Sequence, residues 1–183
     1  MRKCVAGIAD FMGQNAIIRV DRKPVDEHLL DGFVVGMSDK LLLLHVVDGS
    51  TLLLNGYSAI RLSDIHSYHV DETFVTRALR LLDRKPIVPE GIDLSGWAEL
   101  LASVQRKYPL VLIETEKKEP GCGFIGRVAK QTTRYAALEK INTKGQWDET
   151  EQFAFKDITQ VEFDDGYVNA LAHLVACQAY AGK

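Results

Sequence analysis

Long apolar runs are scarce in this chain of 183 residues. The stretch from Leu41 to Val47 suits a buried strand, whereas a membrane-spanning helix needs about 18 to 20 consecutive apolar residues. The short apolar stretch after Met1 is interrupted by Asp10, and no small-residue cleavage site follows it. We therefore expect neither a transmembrane helix nor a signal peptide.

Cysteine is also rare. The three cysteines, Cys4, Cys122 and Cys177, are odd in number, far apart in the sequence and in no C-x-x-C spacing. Such an arrangement supports neither a disulfide framework nor a thiolate metal site. A reducing compartment fits best, and we expect a cytoplasmic protein.

Neither sign of charge dominates the chain. Lys and Arg number 22 and Asp and Glu number 25, which gives a formal net charge of -3 and a pI near 6.0. Proteins that wrap nucleic acid depend on an excess of Lys and Arg, so this balance argues against that class. Hydrophobic residues make up 46% of the chain, which is typical of a soluble globular protein with a packed core.

Recognisable catalytic and cofactor motifs are missing. The glycines from Gly121 to Gly126 match a dinucleotide-binding pattern, but EKKEP precedes them and a strand hairpin is predicted after them, so we interpret them as turn glycines. His66 and His69 lie three apart on a predicted strand, which sends their rings to opposite faces. We predict no catalytic residue, no metal site and no nucleotide cofactor.

The chain contains an internal repeat. The segment from Asp31 to Asp48 aligns with that from Ile125 to Asn142 at an offset of 94 residues, and Gly32 falls on Gly126. Further on the offset becomes 93, and Asp64 falls on Asp157. Two segments in the same order at nearly the same offset indicate a duplicated unit.

Each copy predicts five short antiparallel strands followed by a helix, with tight hairpins at 38–40 and 132–134. We therefore predict a mainly β protein with two tandem five-stranded barrels, each closed on itself. The predicted domains are a first barrel with its helix at 1–83, a linker with an amphipathic helix at 84–108, and a second barrel with a C-terminal helix at 109–183.

Three helix starts follow from capping residues. Asp71 and Asp164 are predicted N-caps after the fifth strands, and Ser95 is the predicted N-cap of the linker helix. In that linker helix one apolar stripe is expected, formed by Trp97, Leu100, Leu101, Val104 and Tyr108.

Two further features need partners within the fold. The strand from Leu41 to Val47 is apolar on both faces, so it needs a second layer, either from this chain's helices and sister barrel or from another subunit. Asp64 and Asp157 recur at the same turn of both copies, and we expect them to bond backbone amides there.

Two sequence stretches resemble the motifs of Sm-like proteins. Gly32 and Phe33 followed by VVGMSDKLLLLHV resemble the first motif, and the segment IRLSDI at 60–65 resembles the second, in which I-R-G-x-x-I is typical. The resemblance covers about 14–70 and 110–163 and implies Sm-like, or more broadly SH3-like, small barrels. The chain also looks like a widespread class of uncharacterised bacterial proteins.

Sm-like proteins bind uridine-rich RNA through an Asn of the first motif and the Arg-Gly pair of the second. Of these only Arg61 carries over, because Leu62 replaces the Gly and Ala154 falls where the second copy would have the Arg. We therefore expect a noncatalytic protein-interaction module, which binds a protein partner or itself. RNA binding is the second hypothesis and an enzyme of unknown class the third.

Two residues are candidates for partner binding. Arg61 precedes the turn into the fifth strand of the first copy. Trp147 is the large aromatic of the polar loop NTKGQWDET, where it either folds back on the barrel or stands exposed as an anchor.

Overall fold

The computed structural model describes residues 5–181, with side chains described through residue 178. This part of the chain is mainly β, with one ten-stranded antiparallel sheet and three α-helices. The strands are β1 (Ile17–Asp21), β2 (Leu30–Met37), β3 (Leu41–Asp48), β4 (Leu53–Arg61), β5 (Ser67–Val70), β6 (Val111–Glu114), β7 (Gly123–Gln131), β8 (Tyr135–Ile141), β9 (Trp147–Ala154) and β10 (Gln160–Phe163), and the helices are α1 (Phe74–Leu81), α2 (Trp97–Val104) and α3 (Gly166–Ala181).

The sheet runs through both halves of the chain. Its strand order is β5-β1-β2-β3-β4-β10-β6-β7-β8-β9, so the two halves have the same internal order and meet where β4 pairs with β10. Within the described residues the sheet is continuous and not closed, and the two separately closed barrels are not confirmed. The repeat defines five strands per half, but only packing decides whether the fourth strand of one half pairs with the fifth strand of the other.

The two predicted hairpins are confirmed, and their turns are built alike. The Ser38 hydroxyl accepts hydrogen bonds from the backbone N–H groups of Lys40 and Leu41, both at 3.0 Å. In the second half the Thr132 hydroxyl accepts from Arg134 and Tyr135, both at 3.2 Å. A short hydroxyl side chain at the first turn position holds each hairpin closed.

Matching glycines sit at a close approach between strands in both halves. A Cβ at Gly32 would lie 2.9 Å from the carbonyl oxygen of His45, and one at Gly126 would overlap the carbonyl oxygen of Glu139. Just beyond, the register shifts between Val34 and Gly36 in one half and at the equivalent place in the other. Only glycine leaves room for the partner strand at these positions.

Strand β3 is covered on both faces by this chain. Leu41 and Leu43 belong to a core that includes α2, whereas Leu42 and Leu44 face a second cluster with the 3-10 turn Ile8–Phe11. Of the two alternatives for the second layer, the structure shows cover from this chain, although the 3-10 turn on one face was not predicted.

A single core joins the two halves. It contains buried side chains from β1 to β4, from α1 and α2, and from β6, β8, β9 and β10. The predicted apolar stripe of the linker helix is confirmed for Trp97, Leu100, Leu101 and Val104, which are buried in this core. Tyr108 packs against the same core but lies beyond the end of the helix at Val104. Helix α3 covers the other face of the second half through Val168 and Leu171.

Two predicted N-caps are wrong. Helix α1 is capped by Thr73, whose hydroxyl accepts from the Val75 N–H at 3.3 Å, while Asp71 is buried and bonds the cap residue itself. Helix α2 begins after Gly96, with no side-chain cap, so Ser95 does not serve as predicted. Several capping residues stand close together in these segments, and the path of the chain selects among them.

The third helix start is displaced by one residue. Asp165, not Asp164, caps α3 by accepting from Tyr167 N–H at 2.8 Å and Val168 N–H at 3.0 Å. Asp164 instead adopts a left-handed backbone with φ of 61°, which lets the chain turn from β10 into the helix.

The glycine positions make a testable prediction. Gly32→Ala and Gly126→Ala each place a methyl group against partner-strand backbone, so each is expected to lower the free energy of unfolding by about 1 to 3 kcal/mol in urea denaturation. Gly123→Ala is the matched control, because its Cβ would meet only the Leu112 side chain at 3.2 Å. Equal losses in all three variants would contradict the assignment.

Candidate functional site

The junction between the halves is an edge-to-edge strand pairing. Strand β4, the fourth of the first half, lies antiparallel to β10, the fifth of the second. The paired residues are Ile60 with Gln160, Ala59 with Val161, Ser58 with Glu162 and Tyr57 with Phe163. Because side chains alternate along strands, one face of the junction is apolar and the other polar.

An aromatic row crosses the apolar face. The Tyr57 ring stacks on His45 at 4.6 Å between centroids and on Phe163 at 5.2 Å, and Tyr108 continues the row at 5.1 Å from Phe163. Burial raises the pKa of Tyr57 to about 12 and lowers that of His45, whose Nδ1 accepts from the Ile87 N–H at 3.0 Å. These rings therefore stay neutral near pH 7 and hold the two halves together.

A buried ion pair crosses between loops of the two halves. The Arg22 side chain, 1% exposed, donates two parallel hydrogen bonds of 2.8 Å to the Glu116 carboxylate and a third of 2.9 Å to Asp26. Arg22 follows β1, and Glu116 follows β6. A planar guanidinium matches a carboxylate in this two-point geometry, so the pair fixes the loops against each other.

The polar face of the junction holds two carboxyl groups with raised pKa values. Burial first, then the charges of Glu162 and Glu116, raise the pKa of Glu114 to about 8. Burial raises the pKa of Glu162 to about 7, although Gln160 donates a 2.5 Å hydrogen bond to it. Both groups are therefore protonated in the folded protein over a range where an exposed Glu is charged.

Arg61, a predicted partner-binding residue, lies at the end of β4. Its guanidinium donates to the carbonyl oxygens of Phe155 at 2.8 Å and Lys156 at 2.7 Å, which belong to the second half. It also lines a cavity of about 300 Å³ together with Lys40 and Trp97. Partner contact through Arg61 stays a prediction, and the structure gives this residue a second role as a link between halves.

Trp147, the other candidate, is the first residue of β9 and is 37% exposed. The Arg127 guanidinium lies over its ring at 4.3 Å from the centroid and donates to Glu139 at 2.6 Å. Trp147 is therefore neither fully folded back on the sheet nor fully exposed. One face of its ring is covered by Arg127, and part of the side chain faces solvent. The carbonyl groups that Arg61 contacts follow the last residue of β9, whereas Trp147 is the first residue of that strand, so the structure does not bring Trp147 and Arg61 together.

Asp64 and Asp157 have partners that differ from the prediction. Asp64 pairs with Lys117 at 2.6 Å and Asp157 pairs with Lys118 at 2.6 Å, so neither serves mainly to bond turn amides. The two lysines lie in the loop after β6. The repeat relates the two copies to each other and carries no signal for contacts with that loop.

The two outermost strands have open sides. Among the described residues β5 pairs only with β1, and β9 pairs only with β8. The β9 edge carries Asp148, Glu149 and Glu151, of which Glu151 and Glu149 pair with Lys140 of β8 at 2.7 and 3.5 Å, whereas β5 carries the exposed His69. Such edges present unpaired backbone donors and acceptors to any suitable strand.

Other motifs occupy ordinary positions. Gly121 is a turn glycine, with φ of 72°, and the following strand begins at Gly123, as the hairpin prediction requires. Cys122 and Cys177 are exposed free thiols, and Cys4 lies outside the described residues. Across 5–181 no group of three or more His, Cys, Asp or Glu side chains is arranged to hold a metal ion, and none of the helices there has both the length and the apolarity to cross a membrane.

Comparison with protein-family models, with curated proteins and with solved structures gives no match to this chain.

The buried ion pair predicts a large effect of mutation. Arg22→Ala leaves the Glu116 carboxylate without its partner, and we expect the free energy of unfolding to fall by about 3 to 5 kcal/mol in urea denaturation. Lys118→Ala is the control, since the Lys118 side chain is 60% exposed and its pair with Asp157 should contribute about 1 kcal/mol or less. A small loss for Arg22→Ala would show that the pair does not hold the loops.

The raised carboxyl pKa values predict a pH dependence of stability. The folded chain keeps protons on Glu114 and Glu162 that an unfolded chain, with ordinary values near 4.5, has already released. The stability that these bound protons contribute is complete below about pH 4.5 and is lost as the pH rises to about 8. The melting temperature is therefore expected to fall over that interval.

The test compares melting temperatures across that pH range. Glu114→Gln should flatten the decline, because an amide cannot release a proton, whereas Glu90→Gln in the exposed linker should leave it unchanged. The same slope in wild type and Glu114→Gln would rule out Glu114 as its source.

Proposed function

We propose that the protein is a noncatalytic protein-interaction module made of two Sm-like small barrels joined side by side, and that it binds partners by strand addition at β5 and β9. The single observation that carries this proposal is the β4–β10 junction. At this junction the fourth strand of one half pairs with the fifth strand of the other. One fourth strand, β9, and one fifth strand, β5, remain at the ends of the sheet with an unpaired edge each.

The equivalence of the edges can be followed residue by residue. Strand β9 occupies in the second half the place of β4, and β5 occupies in the first half the place of β10. Both Ser58 and Glu151 pair with equivalent leucines of the preceding strand, Leu44 and Leu138. The β4–β10 register, applied to β9 and to the β5 of a second copy, therefore places Glu151 opposite His69.

The chemistry of these edges favours a second copy as partner. The acidic β9 strand would face His69, whose ring can donate a hydrogen bond to a carboxylate across the strand pair. Trp147 begins the same strand and supplies a half-exposed aromatic next to the edge. Since β9 differs from β5, the contact is head-to-tail and produces either a closed ring or a growing chain.

Charge substitutions at the two edges test this proposal by sedimentation velocity over a range of protein concentrations. His69→Glu places two carboxylates opposite each other, and Glu151→Lys removes the carboxylate that His69 would bond, so each should weaken self-association by about 1 kcal/mol per contact, or several-fold. The combined variant places Glu opposite Lys and should restore assembly.

His173→Glu, on the exposed side of α3, is the matched control and should leave assembly unchanged. A chain that stays monomeric at every concentration would exclude the second copy as partner, and assembly that ignores both substitutions would exclude this register. Binding of an oligouridine strand that disappears at raised salt would instead favour the RNA hypothesis.

A further inference from the structure

A groove lies on the polar side of the junction, between the β1–β2 loop and the β6–β7 loop. Its volume is about 570 Å³, within the range of pockets that hold small ligands or side chains. The residues that line this acidic groove are Pro24, Val25, Asp26, Glu27, His28, Glu114, Glu116, Pro120, Gly121 and Gln160.

Most of its charged groups already have partners. Arg22 holds Glu116 and one oxygen of Asp26, and the other Asp26 oxygen lies 3.1 Å from the His28 ring. Glu27 lies 3.6 Å from the Lys23 ammonium group. These contacts leave Glu114 as the lining carboxyl group whose side chain forms no hydrogen bond or ion pair with the described residues.

Gln160 supplies a second acceptor beside Glu114. The two residues are register partners on β10 and β6, so their side chains lie next to each other on the same face. Gln160 is 5% exposed and lines the groove, and its Oε1 has no hydrogen-bond partner among the described residues. The oxygen itself is buried, and leaving it without a donor is costly. A ligand in the groove satisfies it when the Gln160 amide turns outward.

The geometry points to a binding site for an arginine side chain of a protein partner. Its guanidinium would donate to the Glu114 carboxylate and to Gln160 Oε1, and its methylene stem would lie against Pro24, Val25 and Pro120. This inference rests on the proposed function in that it takes the partner to be a protein.

Arginine fits this lining better than other cations. A guanidinium presents several donors in one plane, so it can reach acceptors on two adjacent strands, and it is more weakly hydrated than an ammonium group. The apolar residues on the two loops suit a stem that ends in a charged group. A metal ion would need a cluster of ligating side chains, which residues 5–181 do not provide.

Proton release should accompany binding. Without the ligand, burial and the nearby carboxyl groups of Glu162, Glu116 and Asp26 hold the pKa of Glu114 at about 8, while Arg22 opposes them. A guanidinium beside Glu114 favours the charged carboxylate, so binding displaces its proton. The affinity is therefore expected to increase as the pH rises to about 8 and then to level off.

The test uses a blocked single residue as probe, so that it does not depend on strand addition. N-acetyl-arginine amide is titrated into the full chain and followed by NMR chemical shifts, with N-acetyl-citrulline amide, the uncharged analogue of the same shape, as ligand control. We expect the arginine probe to shift resonances of the groove and the citrulline probe to shift them at least tenfold more weakly.

Two variants then assign the contacts. Glu114→Gln should weaken the arginine probe about tenfold and remove the pH dependence, and Gln160→Met should weaken it by a similar factor while the pH dependence remains. Glu90→Gln is the control and should bind as wild type does. Thermal melting of each variant shows whether it is folded, and Glu114→Gln alone decides the outcome if Gln160→Met does not fold.

Equal binding of the arginine and citrulline probes, or binding unaffected by Glu114→Gln, would overturn the inference. Failure here is distinct from failure of the proposed function. If the probe does not bind but the His69 and Glu151 substitutions still control assembly, only the groove is misassigned. If the probe binds while those substitutions have no effect, the edge contact is wrong and the groove stands.

Discussion

The pairing of β4 with β10 is the constraint on which the rest of the structure depends. It removes one exposed edge from each half and joins their strands into one sheet. It also brings apolar faces of both halves together, so that one core with α1 and α2 spans the two halves, beside a smaller cluster in each half. A larger shared core buries a greater fraction of apolar surface than two isolated five-stranded units can.

The same pairing creates two unlike faces. On one, His45, Tyr57 and Phe163 form a neutral aromatic row that packs the halves together. On the other, carboxyl groups outnumber the cations that could pair with them, and buried polar atoms such as Gln160 Oε1 lack partners among the described residues. Packing accounts for the aromatic face. On the polar face the burial of polar groups without partners costs folding free energy, so that face is the better candidate for binding.

Local patterns predicted local structure well. The hairpins at 38–40 and 132–134, the buried stripe of α2 and the doubly covered strand β3 all follow from short-range periodicity and turn chemistry. Cap positions were wrong where several capping residues compete within a few positions, as between Asp164 and Asp165. The contacts of Asp64 and Asp157 were missed because their lysine partners are more than 35 residues away in the sequence, in a loop that shows no pattern.

By itself the sequence determined the repeat, the five strands of each half and the segments that turn or become helical, because these depend on residues that are neighbours in the chain. Only the tertiary structure decided that the halves share one sheet, that Arg22 reaches Glu116, and that Glu114 and Gln160 lie side by side. The backbone donors and acceptors at a strand edge are the same for every sequence, so they do not select a partner strand. The packing of the side chains on the two faces of the sheet selects it.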